Sequence, residues 1–136
     1  MWLMTDRGFV SLVEDRDDRD VLQVRARVKE DILGLFPEVQ VLDRPGGDYQ
    51  FRARLSRSEV ANVLAAKVMS LDYGSHAKDV ALDRSEPNPA RYRAYYTTWS
   101  AMAEMQPCAP YSTTPRPPRS RWEDEDDLYD YREETE

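Results

Sequence analysis

Four arginines fall in two copies of one pattern. Arg25 and Arg27 lie in Leu22-Gln23-Val24-Arg25-Ala26-Arg27-Val28, and Arg52 and Arg54 lie in Tyr49-Gln50-Phe51-Arg52-Ala53-Arg54-Leu55. Each copy alternates apolar and polar residues at period two, the pattern of a half-buried strand. If Val24, Ala26 and Val28 face a core, Gln23, Arg25 and Arg27 face away, and Gln50, Arg52 and Arg54 do so in the second copy. Neighbouring strands lie about 4.8 Å apart, so adjacent copies crowd four guanidiniums onto one sheet face. Like charges that close call for an anion, an acidic patch or a covering element. Three readings stay open. Acids such as Glu14 and Asp43, or a third helix stacking Tyr92, Tyr95, Tyr96 or Trp99 on guanidinium, can neutralise the face from within. An anionic ligand, RNA or a nucleotide phosphate, can do so from outside. So can an acidic surface, either the chain's own acidic tail or that of a partner.

RNA-binding sheets stack bases on aromatics of their central strands, whereas here the outward positions are Arg and Gln and Phe51 faces inward. Signals for catalysis are poor. His76 is the only histidine and lies in a polar stretch, and Cys108 stands among prolines with no base beside it. Asp15, Asp17, Asp18 and Asp20 suggest calcium, but Arg16 and Arg19 interrupt them and no ligating Glu follows at loop spacing. Five glycines form neither a phosphate loop nor a dinucleotide fingerprint. The expectation is therefore no enzyme, no catalytic residue, no metal site and no cofactor.

Charge is unevenly placed. Over 136 residues the formal charge is −7, from 19 Lys+Arg and 26 Asp+Glu. Residues 123–136 hold nine acids and one base, so residues 1–122 carry 18 bases and 17 acids and are nearly neutral. An acidic block of this kind is expected to be disordered. Trp122, Leu128, Tyr129 and Tyr131, set in and beside it, suggest a short partner-binding segment. Before it, residues 106–119 hold five of the nine prolines and read as an extended linker. The expected organisation is a domain over 1–105, a Pro/Arg-rich linker over 106–122 and an acidic tail over 123–136. No apolar run reaches membrane-spanning length, and the opening residues lack the features of a secretory leader. With its single cysteine the chain is expected in the cytoplasm.

Elements must position the arginines. Gly8–Glu14 leads through Asp15-Arg16-Asp17-Asp18-Arg19 into the first copy, and Val39–Asp43 leads through Arg44-Pro45-Gly46-Gly47-Asp48 into the second. Lys29–Phe36 follows the first copy as a helix, with Val28, Ile32, Leu35 and Phe36 on one side. After the second copy, Ser56 and Glu59 form a capping box, and Val60, Val63, Leu64, Val68 and Leu71 make a helical stripe. The fold class is α+β, in the order strand, strand, helix, strand, strand, helix. This is a ferredoxin-like fold with its last strand moved to the front, a permuted four-stranded sheet with the repeated strands parallel at its centre. A short helix over His76–Leu82 and a third helix over Ala90–Met105 follow. Tyr92, Tyr95, Tyr96 and Trp99 give that last helix a stripe that either packs on the sheet or, if exposed, supports a homodimer.

Met1-Trp2-Leu3-Met4-Thr5, Gly8-Phe9-Val10-Ser11, Val24-Arg25-Ala26-Arg27, Asp48-Tyr49, Phe51-Arg52-Ala53, Asp72-Tyr73, Lys78-Asp79-Val80 and the Tyr92–Trp99 helix resemble a family of small bacterial and bacteriophage proteins without an established activity. The resemblance covers residues 1–105, implies one domain there and transfers no functional residue. The expected function is a non-enzymatic binding or regulatory protein, such as a phage or mobile-element accessory protein, acting on another protein. Nucleic-acid or nucleotide binding by Arg25, Arg27, Arg52 and Arg54 is the alternative, and acidic mimicry of nucleic acid by residues 123–136 is a third.

Overall fold

A computed structural model describes residues 1–74 and 88–117. His76 with its expected helix, Trp122, Leu128, Tyr129, Tyr131 and the acidic tail lie outside the described residues.

The chain is α+β. Strands β1 (Trp2–Thr5), β2 (Gly8–Glu14) and β3 (Val21–Ala26) come first. Helix α1 (Lys29–Leu33), strands β4 (Leu42–Asp43) and β5 (Phe51–Ser56), helix α2 (Arg57–Met69) and helix α3 (Pro89–Ala103) follow. All pairings are antiparallel, in one five-stranded sheet of order β1-β2-β3-β5-β4. The two arginine-bearing strands are neighbours at its centre, as their shared pattern implies.

Their direction overturns the expected topology. The permuted ferredoxin-like arrangement needs β3 and β5 parallel, but Val24 stands opposite Ala53 and Ala26 opposite Phe51 in an antiparallel register. A parallel return has to cross the length of a strand, about 20 Å for six residues. The five-residue α1 spans about 7.5 Å. Residues 27–50, though long enough to cross the sheet, instead leave and re-enter it at the same end, Ala26 pairing with Phe51. The sheet also has five strands rather than four, because Trp2–Thr5 forms an edge strand that its four residues do not announce. The strand expected over Val39–Asp43 is reduced to Leu42 and Asp43.

One sheet face carries the core. Val10, Leu12, Val24, Ala26 and Ala53 pack against Ile32, Leu35, Phe36 and Val60, with Leu22, Phe51, Leu55, Val63 and Leu64 at the margin. The capping box at α2 is present, the Ser56 hydroxyl accepting from the Glu59 amide and the Glu59 carboxylate from the Ser56 amide. The second half of the expected α2 stripe is not buried, since Val68 is 64% exposed and Leu71 is exposed as well.

Two compact units divide the chain, residues 1–96 and 97–136. In the second, residues 107–116 close on themselves instead of extending. Cys108 bridges to Pro115, and the Arg116 amide donates to the Pro107 carbonyl at 2.7 Å. No helix among the described residues is long and apolar enough to cross a membrane.

Candidate functional site

The face opposite the core is set by the register. Arg25 stands directly across from Arg52 and Gln23 across from Arg54, with Ser11 of β2 on the other side of Arg25. Cross-strand partners project on the same side, so Ser11, Gln23, Arg25, Arg52 and Arg54 share the face that α1 and α2 leave uncovered. Phe9 and Trp2 lie further along it, their rings edge to face at 5.6 Å.

Tyr49, 3% exposed, organises the arginines. The guanidinium carbons of Arg25 and Arg27 each lie 4.7 Å from its ring centroid, within cation–π range. Its carbonyl accepts from Arg52 Nε at 3.3 Å. Arg25 also donates to Ser11 Oγ at 2.9 Å, and Arg27 to the Asp48 carbonyl at 2.6 Å beside an ion pair with that carboxylate. Gly46, at φ 81°, and Gly47 let the loop before Tyr49 turn back over the strand ends.

The acids that engage this face differ from those expected. Glu14 pairs with Arg57 and Arg19, and Asp43 accepts from Gln50. Asp15, 5% exposed, receives Arg54 Nε at 3.0 Å and Gln23 Nε2 at 3.2 Å. The Asp17 amide and Gln23, with the charge and hydrogen bond of Arg54, hold the Asp15 carboxyl below the usual carboxylate range against a smaller opposing effect of burial. Arg25 and Arg52 make no ion pair among the described residues. Arg25 Nε is buried without a hydrogen-bond partner.

Tyr49, Asp15 and Ser11 had no assigned role from sequence. The available signal was the aromatic residue at the head of the second copy, where the first has Leu22. The arrangement can hold an anion or an acidic surface, and it offers no nucleophile paired with a base.

A second polar cluster joins α3 to the β1–β2 turn. Arg91 pairs with buried Asp31, whose other oxygen accepts the Phe9 amide at 3.1 Å. Tyr95 is buried and donates its hydroxyl to the Thr5 carbonyl at 3.0 Å. Burial pushes the Tyr95 hydroxyl pKa up. Burial works to lower the Arg91 pKa, yet the hydrogen bonds and charge of Asp31 and Tyr95 leave it raised. Every polar group named here is satisfied, so the cluster anchors a helix.

Among the described residues no group of three or more His, Cys, Asp or Glu gathers in a metal-holding arrangement. Comparison with family models, with curated proteins and with solved structures finds no match to the chain.

Proposed function

We propose that the chain is a non-enzymatic, cytoplasmic binding or regulatory protein that contacts another protein through the arginine-bearing face of its sheet. One observation carries the reading: Arg25 and Arg52 stand opposite each other, and among the described residues no carboxylate pairs with either. Adjacent like charges are relieved when an acidic surface meets them, and arginine held on an aromatic ring is a common anchor of protein interfaces. Arg27 and Arg54, paired with Asp48 and Asp15, border that surface. Trp122, Leu128, Tyr129 and Tyr131 are a second contact segment on sequence grounds alone. A phage or mobile-element accessory role belongs to the proposal on the sequence resemblance alone.

Nuclease-treated extract passed over the immobilised chain tests this. An acidic protein should be retained by the wild type and lost from the Arg25→Gln/Arg52→Gln variant. Retention indifferent to that variant would remove the sheet face from the proposal.

A second reading, nucleic-acid binding, draws on Trp2, an exposed ring on the same face packed edge to face on half-buried Phe9, since an exposed ring can stack a base. It requires that single-stranded RNA or DNA bind at low salt in an anisotropy titration and that the same double variant abolish binding.

A further inference from the structure

We propose that two copies of this chain pair antiparallel through their β1 edges, joining the two sheets into one. The main-chain pairing of β1 defines which groups are free. Met1 and Leu12 exchange both backbone hydrogen bonds, Met1 N to Leu12 O at 2.7 Å and Leu12 N to Met1 O at 2.8 Å. In an antiparallel ladder such pairs alternate with pairs that exchange none. Leu3 therefore turns its N–H and C=O toward Val10, while Trp2 and Met4, opposite Ser11 and Phe9, turn theirs away from the sheet. Strand β1 is last in the sheet order, and no strand among the described residues takes up these groups.

The edge also lacks the usual protection against a second copy. Sheets guard exposed edges with charges, proline or bulges. Trp2-Leu3-Met4-Thr5 has neither charge nor proline and pairs with β2 without a bulge, whereas the opposite edge strand carries Asp43. Trp2 is 72% exposed and Met4 is partly exposed beside it.

Hydrogen-bond parity requires Trp2 and Met4 to face Trp2 or Met4 of the second copy, and among such registers the one centred on Leu3 engages both outward residues of the four-residue strand. With Leu3 opposite Leu3 of the second copy, the N–H and C=O of Trp2 meet those of Met4, and the two-fold repeats the exchange. The Met4 thioether of one copy then lies beside the Trp2 indole of the other on the arginine-bearing face, a favourable sulfur–aromatic contact. The pairing is self-complementary, as a two-fold interface requires. Edges this short bury less than the about 1,200 Å² at which stable interfaces begin, so the dimer is reversible, with a dissociation constant in the micromolar range.

Sedimentation of the full chain without an added N-terminal tag tests the proposal. The wild type should pass from monomer to dimer over micromolar concentrations. Met4→Pro removes an outward N–H without breaking a bond to β2, and Met4→Lys adds charge at the edge; each should weaken association at least tenfold while leaving circular dichroism unchanged. In a Cys108→Ser background, Leu3→Cys should cross-link on mild oxidation, because non-hydrogen-bonded antiparallel partners have Cα atoms about 4.5 Å apart, within disulfide reach. Leu42→Cys, on the other edge, should not. A wild type that stays monomeric to about 200 μM, a dimer indifferent to Met4→Lys, or cross-linking through Leu42→Cys in place of Leu3→Cys would overturn the proposal.

Discussion

The Arg25 guanidinium lies 4.7 Å from the centre of the Tyr49 ring, and Arg27 lies at the same distance from it. The buried ring lets two arginines only two residues apart approach each other, while the cross-strand Arg25–Arg52 pair is held by neutral acceptors, Ser11 Oγ for Arg25 and the Tyr49 carbonyl for Arg52. The ring's π-electrons supply attraction, and its bulk fills the space at the strand ends.

Tyr49 should consequently dominate the stability of this face. Tyr49→Ala removes a buried aromatic ring and should cost about 3 kcal/mol or more in urea unfolding. Tyr49→Leu keeps much of the apolar volume but loses the cation contacts, for a cost nearer 1 kcal/mol. Equal losses in the two variants would show that packing alone matters.

The Asp31–Arg91 pair is largely sealed from solvent, so removing one partner strands the other. Arg91→Met should destabilise by about 3 kcal/mol, and Asp31→Asn by less, since its amide oxygen still accepts the Phe9 N–H. A double-mutant cycle by chemical denaturation measures the coupling, which should exceed about 1 kcal/mol.

Gly8 is required by its neighbour and its backbone. A Cβ there would sit 2.6 Å from the Asp31 side chain and 2.7 Å from its Cα, at φ 155°. Gly8→Ala should lower stability by about 2 kcal/mol or more, visible as a clear drop in melting temperature. An unchanged melt would mean that α1 can move away without cost.

Acid should weaken the fold through Asp15 and Glu59. Both carboxyls are held below the unfolded values of 3.8 and 4.5, Asp15 chiefly by the Asp17 amide and Glu59 by the Ser56 hydroxyl and amide. The unfolded chain therefore takes up protons first, and the stability they contribute is present above those values and lost as pH falls through the lower folded ones. The urea midpoint should fall between pH 5 and pH 3, and the fall should be smaller in Asp15→Asn. A variant with the wild-type acid response would exclude Asp15 from it.

Much of the site was legible because side-chain alternation depends on the strand and not on its direction. Arg25 and Arg52 share a face whether β3 and β5 run parallel or antiparallel, so that expectation survived the reversal of the topology. The Ser56–Glu59 box was legible for a similar reason, being complete within four residues. Strand β1 was not, since four residues carry too short a pattern and its pairing with β2 depends on the chain beyond it.

By itself the sequence determined local conformation, the division of each strand into core and outward residues, and the uneven charge, all of which follow from neighbours within a few positions. Only the tertiary structure decided that β3 and β5 run in opposite directions, that Tyr49 takes two guanidiniums, that Asp15 reaches Arg54, and that Arg91 meets Asp31. The direction depends on which end of the sheet the connection over residues 27–50 returns to, which is set by its packing on the core and not by any local pattern. The other contacts join residues as far as 60 positions apart, and only closure of the core brings such groups within bonding distance.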